Sequence, residues 1–119
     1  LLEAVAQVNA ERAALLFVAH DTPLPEPLHG ARPMSAIFGV ALVLAPARGA
    51  HSLARIGLTI DPSPQPLTRM QDAGLDGLRT GNPSARSLPL LAALARRESA
   101  DLLLPGVHGQ VLRIRVEPA

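Results

Sequence analysis

The chain has no cysteine, no tryptophan, no tyrosine and no lysine, and only two phenylalanines. Without cysteine there is no disulfide, no thiolate nucleophile and no thiolate metal site, which fits a cytoplasmic setting. Without aromatic platforms, stacking of single-stranded nucleic acid is not expected. All 11 basic residues are arginine, and they are scattered. Together with a formal charge of +1, they set up no field that would steer nucleic acid. No apolar run reaches bilayer length and no leader pattern opens the chain, so neither a membrane nor a nucleic-acid partner is expected.

What is present is the composition of a globular chain. Hydrophobic residues make up 48% of 119 residues, enough for one cored domain and too few residues for two. Ala, Leu, Arg and Pro dominate, as GC-rich bacterial genomes encode. Ala13 to Pro27, AALLFVAHDTPLPEP, is an apolar strand running into a proline-punctuated loop, and the rest of the chain is organised around it.

Before it, Leu1 to Ala10 reads as a helix with Leu1, Val5 and Val8 on one face and Leu2 and Ala6 beside them. The run Ala13–Ala19 predicts a strand buried on both faces, as in parallel sheets. Thr22 to Pro33 predicts a loop. Ser35 to Ala45 is a second apolar strand. Leu53 to Ile60 alternates with period two, and its short connection predicts an antiparallel hairpin with the strand before it. Asp61 to Pro66 is an extended proline connector. Leu67 to Ala73 predicts a short helix ended by Gly74 and Gly77, which leaves Asp72 and Asp76 in a solvated turn.

Ser87 is placed to N-cap a helix from Leu88 to about Glu98, with Leu88, Leu91 and Ala95 as its buried stripe and Leu94 beside it. Asp101 to Leu104 is a short strand. Gln110 to Glu117 is the clearest strand, with Leu112, Ile114 and Val116 inward and Arg113, Arg115 and Glu117 outward. The predicted fold class is α/β with flanking helices, in the order α-β-β-β-(α)-α-β-β. Two successive strands apolar on both faces need cover above and below. Residues 1–119 are therefore expected to be the C-terminal part of a larger α/β unit, with an upstream strand completing a βαβ crossover.

Candidate chemistry is sparse. His20 and Asp21 stand at the C-terminal end of the first strand, where open α/β sheets bind ligands; as a functional pair they would line a cleft. The alternative is an ordinary strand end with Asp21 starting a turn. His20, His29, His51 and His108 have no metal-ligand spacing, so no metal site is assigned. The serines lack nucleophile-elbow context and the glycines form no phosphate-binding pattern. No catalytic residue and no cofactor is assigned.

Taken together, LLEAVAQVNAERAALLFVAHDTPLPEP and SAIFGVALVLAPARGAHSLARIGLTI resemble part of a β-ketoacyl synthase of the thiolase superfamily. The nearest likeness is to short ketosynthase-like proteins related to chain-length factors, including those of aryl polyene clusters. The distinctive stretches are Asp21-Thr22-Pro23-Leu24-Pro25-Glu26-Pro27 and Asn82-Pro83-Ser84-Ala85-Arg86 before a Leu-rich helix.

The resemblance implies a thiolase-like mixed sheet, of which this chain is the C-terminal portion of the N-terminal-like domain. Two departures bear on activity. Active ketosynthases carry Gly-Gly where this chain has His20-Asp21, and their nucleophilic Cys has no counterpart here. The implied role is a subunit in fatty-acid, polyketide or polyene biosynthesis that pairs with an active ketosynthase and an acyl carrier protein, as a homo- or heterodimer. Two alternatives stand beside it: an active 3-oxoacyl-carrier-protein synthase whose nucleophile lies upstream of Leu1, and a small binding or dimerisation domain without acyl chemistry.

Overall fold

A computed structural model describes residues 1–119. Ten elements follow one another. They are α1 (Leu2–Glu11), β1 (Leu15–Asp21), the one-turn α2 (Leu28–Ala31), β2 (Phe38–Leu44), β3 (Ala54–Asp61), α3 (Ala73–Gly81), a 3-10 helix (Ser84–Ser87), α4 (Leu88–Arg96), β4 (Ala100–Pro105) and β5 (Val111–Pro118). The strands form two small antiparallel sheets, β1-β2 and β3-β5-β4, so the chain is a mixed α/β domain.

The three-stranded sheet carries the core. β5 is central, so both edges of its backbone are paired. Its alternation turns Leu112, Ile114 and Val116 inward, against Leu102 and Leu104 of β4 and Leu90 and Ala93 of α4. This is the period-two pattern expected for β5. Leu1, Leu2, Leu42, Ile56 and Leu58 pack around that cluster half-buried. The outer face of the sheet is polar, with Arg113 donating to Asp101 across the β4–β5 pair at 2.9 Å. The segment after the proline connector lies along the free edge of β4: Thr68 N–H donates to Leu103 O at 2.9 Å, and Leu103 N–H donates to Thr68 Oγ1 at 2.8 Å.

The other sheet differs from expectation. β1 is not a doubly buried strand of a parallel sheet. It pairs antiparallel with β2 in continuous register from Leu15↔Leu44 to Asp21↔Phe38. Both strands alternate between half-buried and exposed residues, because α1 and the 3-10 helix lie against one face only. The outer face leaves Leu16 63% and Val43 75% exposed, with Val18 beside them. Sequence could not separate a doubly covered strand from a singly covered one, since apolar residues occupy both faces in either case. The expected β2–β3 hairpin does not form either. β3 pairs with β5, from Ala54↔Pro118 to Asp61↔Val111. β5 takes β3 in place of β2, and the 45–53 connection crosses between sheets.

The helices are also displaced from their predicted limits. Part of the Thr22–Pro33 loop coils into α2. α3 begins at Ala73, where a helix was expected to stop, and includes Gly74 and Gly77. Asp72 makes this possible as N-cap, accepting from Leu75 N–H at 2.8 Å. In α4 the buried residues are Pro89, Leu90 and Ala93, one position round from the predicted Leu88–Leu91–Ala95 stripe; Ala95 is exposed. The 3-10 helix runs into α4 without a break. Ser87 is therefore helical and its hydroxyl donates back to Ser84 O at 2.7 Å instead of capping.

Candidate functional site

Sequence places His20 and Asp21 side by side; the strand pleat sends them apart. His20 lies on the exposed outer face of β1, opposite Gly39 of β2. Asp21 turns inward, half-buried, into a polar node that sequence reading did not foresee. There Ser84 N–H donates to Asp21 Oδ2 at 3.0 Å, and the Ser84 hydroxyl donates to the same oxygen.

Asn82 is the centre of that node. It is 1% exposed, yet every hydrogen-bonding capacity of its amide is used. Its Nδ2 donates to Ala36 O at 2.8 Å and to Asp21 O at 3.3 Å. Its Oδ1 accepts from Ser84 N–H at 2.9 Å and from Ala85 N–H at 3.2 Å. One side chain thus ties the end of β1, the approach to β2 and the start of the 3-10 helix. A fourth strand of the knot is Ser35, whose N–H donates to Gly81 O at 3.1 Å. A Cβ at position 81 would lie 2.9 Å from Ser35 Cβ, so only glycine lets these backbones approach. The node fastens the β1–β2 sheet to the end of α3 and the 3-10 helix.

The node's chemistry is that of a fastening. Ser84 Oγ and the Asp21 carboxylate are hydrogen-bonded to each other, but His20 points to the opposite face and completes no relay. No three His, Asp or Glu side chains are grouped so as to hold a metal ion. His29, His51 and His108 lie in separate places, on α2, before β3 and in the β4–β5 turn. The serine and asparagine had a sequence signal, the Asn82–Arg86 stretch. Their attachment to Asp21 had none, because the partners are 61 and 63 residues apart.

A second charged cluster fixes α3. Asp76 Oδ1 accepts from Arg79 Nε at 2.7 Å and from Met70 N–H at 2.8 Å, and Arg69 lies 3.4 Å from Oδ2. The Arg79 hydrogen bond first, then the Met70 bond, hold the Asp76 carboxyl below the usual range, at about 2. Asp72 and Asp76 are thus a cap and a clamp, not a solvated turn. A carboxylate with a depressed folded pKa contributes stability above its unfolded value. That contribution is lost as pH falls from about 4 towards 2. Asp76→Asn is expected to flatten this part of the stability-versus-pH curve, measured by urea unfolding at pH 2 to 5.

Two depressions lie on the three-stranded sheet. One, lined by Gly57, Thr59, Arg113 and Arg115, is on its outer face; the other is at the Ser99–Asp101 end. No helix is long and apolar enough to cross a membrane. No protein-family model, no curated protein and no solved structure matches this chain.

Proposed function

We propose that this chain is part of a β-ketoacyl-synthase-like protein of the thiolase superfamily. In this reading it acts in fatty-acid, polyketide or polyene biosynthesis as a chain-length-factor-like subunit without its own catalytic residues. It works in the cytoplasm beside an active ketosynthase and an acyl carrier protein. Such a subunit helps shape the acyl tunnel while its partner performs the decarboxylative condensation of acyl thioesters.

One observation carries the reading. The resemblance rests on two separate stretches, Asp21–Pro27 and Asn82–Arg86, and Asn82 and Ser84 bind the first residue of the other stretch directly. Chance similarity in two unrelated loops gives no reason for them to form one unit. The order of α1, β1 and β2, with β2 apolar throughout, also supports it.

The test is affinity purification of the full-length protein from its native cells. Recovery of a ketosynthase and an acyl carrier protein is the expected result; recovery of neither overturns the proposal. Labelling of the full-length protein by an alkylating ketosynthase inhibitor would instead assign it catalysis, through a cysteine that residues 1–119 lack.

A further inference from the structure

The depression on the outer face of the three-stranded sheet has a volume of about 210 Å³ and is lined by Gly57 and Thr59 of β3 and Arg113 and Arg115 of β5. Its floor is bare because Gly57 stands in the middle of a strand. A Cβ built on Gly57 would meet nothing within 4 Å, so no packing within the chain requires glycine there. Glycine inside a strand weakens it and leaves room for a ligand to approach the backbone.

The two arginines are placed differently. Arg113 is fixed: its guanidinium donates to Asp101 at 2.9 Å and to Gln65 Oε1 at 3.3 Å, and lies 3.9 Å from Asp61. Asp101 is thereby taken from Arg115, its own partner in the β4–β5 register. The other register partner of Arg115 is Gly57, which has no side chain to offer. Glu117, the next outward residue of β5, stands in the following row, opposite Arg55. Arg115 is left exposed and without an ion pair, beside an exposed Thr59 hydroxyl.

We propose that this depression binds a phosphate group. Arg115 is the anchoring cation, since a guanidinium presents paired donors to an oxyanion. The Thr59 hydroxyl donates to a further oxygen, which a tetrahedral phosphate has and a carboxylate held by both its oxygens lacks. Arg113, held by its own carboxylates, closes one side. Gly57 lets the anion settle against β3. The site is open to solvent, so two or three charge-assisted hydrogen bonds give a Kd on the order of 1 mM after the cost of association. The inference is independent of the ketosynthase-like reading.

The test is NMR titration of the 119-residue chain with inorganic phosphate and, in parallel, glycerol phosphate, at neutral pH and constant ionic strength set with chloride. Saturable shifts of the Gly57, Thr59, Arg113 and Arg115 amides are expected. Tighter binding of glycerol phosphate assigns the site to the end group of a larger ligand; equal binding assigns it to the free ion. Arg115→Gln should weaken binding by about tenfold or more. Arg96→Gln removes the same charge from exposed α4, which packs on the other face of the sheet, and should change binding by less than about twofold. Gly57→Val should abolish binding while the urea midpoint stays at or above that of wild type, because valine suits a strand and has space there. No saturable shift with either phosphate overturns the proposal. So do equal losses in Arg115→Gln and Arg96→Gln, which would show attraction to net charge alone, and so does undiminished binding by Gly57→Val.

Discussion

Asn82→Ala is expected to destabilise the fold by about 2 to 4 kcal/mol, as much as any polar substitution in the chain. The side chain is buried and makes four hydrogen bonds, so the loss is not that of one surface contact. Two of the groups it serves keep other partners. Ser84 N–H still reaches Asp21 Oδ2, and Ala85 N–H still reaches the backbone O of residue 82. The carbonyls of Ala36 and Asp21 lose their Asn82 donor, and a small void remains. A buried carbonyl without a donor loses about 1 to 3 kcal/mol, which sets the range. Asn82→Asp sharpens the test. It keeps the acceptor but turns the donor edge into carboxylate oxygen, facing two carbonyls and near Asp21. At neutral pH it should be at least as damaging as alanine, with part of the loss recovered on acidification, when the new carboxyl regains a proton. Chemical denaturation at pH 7 and pH 5 measures both. An Asn82→Ala midpoint equal to wild type would show that the node is not what holds the β1–β2 sheet to the 3-10 helix.

Ile114→Ala should have an effect of the same order or larger, about 3 to 4 kcal/mol. Ile114 is 0% exposed on the central strand, packed among Leu102, Leu104, Leu112 and Val116 and under Leu90 of α4. Its neighbours are held in two ladders and cannot collapse onto the vacancy. Ile114→Val removes one methylene and should lose about 1 kcal/mol. The contrast is Val43→Thr on the outer face of the β1–β2 sheet, where the side chain is 75% exposed. That change is expected to stay within about 0.5 kcal/mol. A fold of this size has a total stability of roughly 6 to 18 kcal/mol, so the alanine variant loses a large part of it. Equal losses at Ile114 and Val43 would mean that the core does not lie under β5.

These two predictions fall on opposite sides of what could be read from sequence. The inward face of β5 was legible from Leu112, Ile114 and Val116 alone, because period-two alternation with charged residues between has one reading. Asn82 was legible only as the start of the Asn82–Arg86 stretch. Its role needs Asp21 and Ala36, which lie 61 and 46 residues away, and local pattern carries no information over that span. Ser87 illustrates the same limit in reverse. It stands where an N-cap residue belongs, but the preceding 3-10 helix supplies the backbone geometry and its hydroxyl turns elsewhere.

By itself, the sequence determined where most elements lie, which residues of β5 face inward, and that β1 and β2 are apolar on both sides. Those are properties of neighbours along the chain: periodicity, proline, glycine and caps. Which strands pair, how many faces are covered, and where His20 and Asp21 end up were decided only by tertiary structure. Pairing depends on competition between distant surfaces, and β5 won β3 from β2. The pleat then separated two adjacent polar residues, sending Asp21 into the node that fastens β1 to the 3-10 helix and leaving His20 on the outer face.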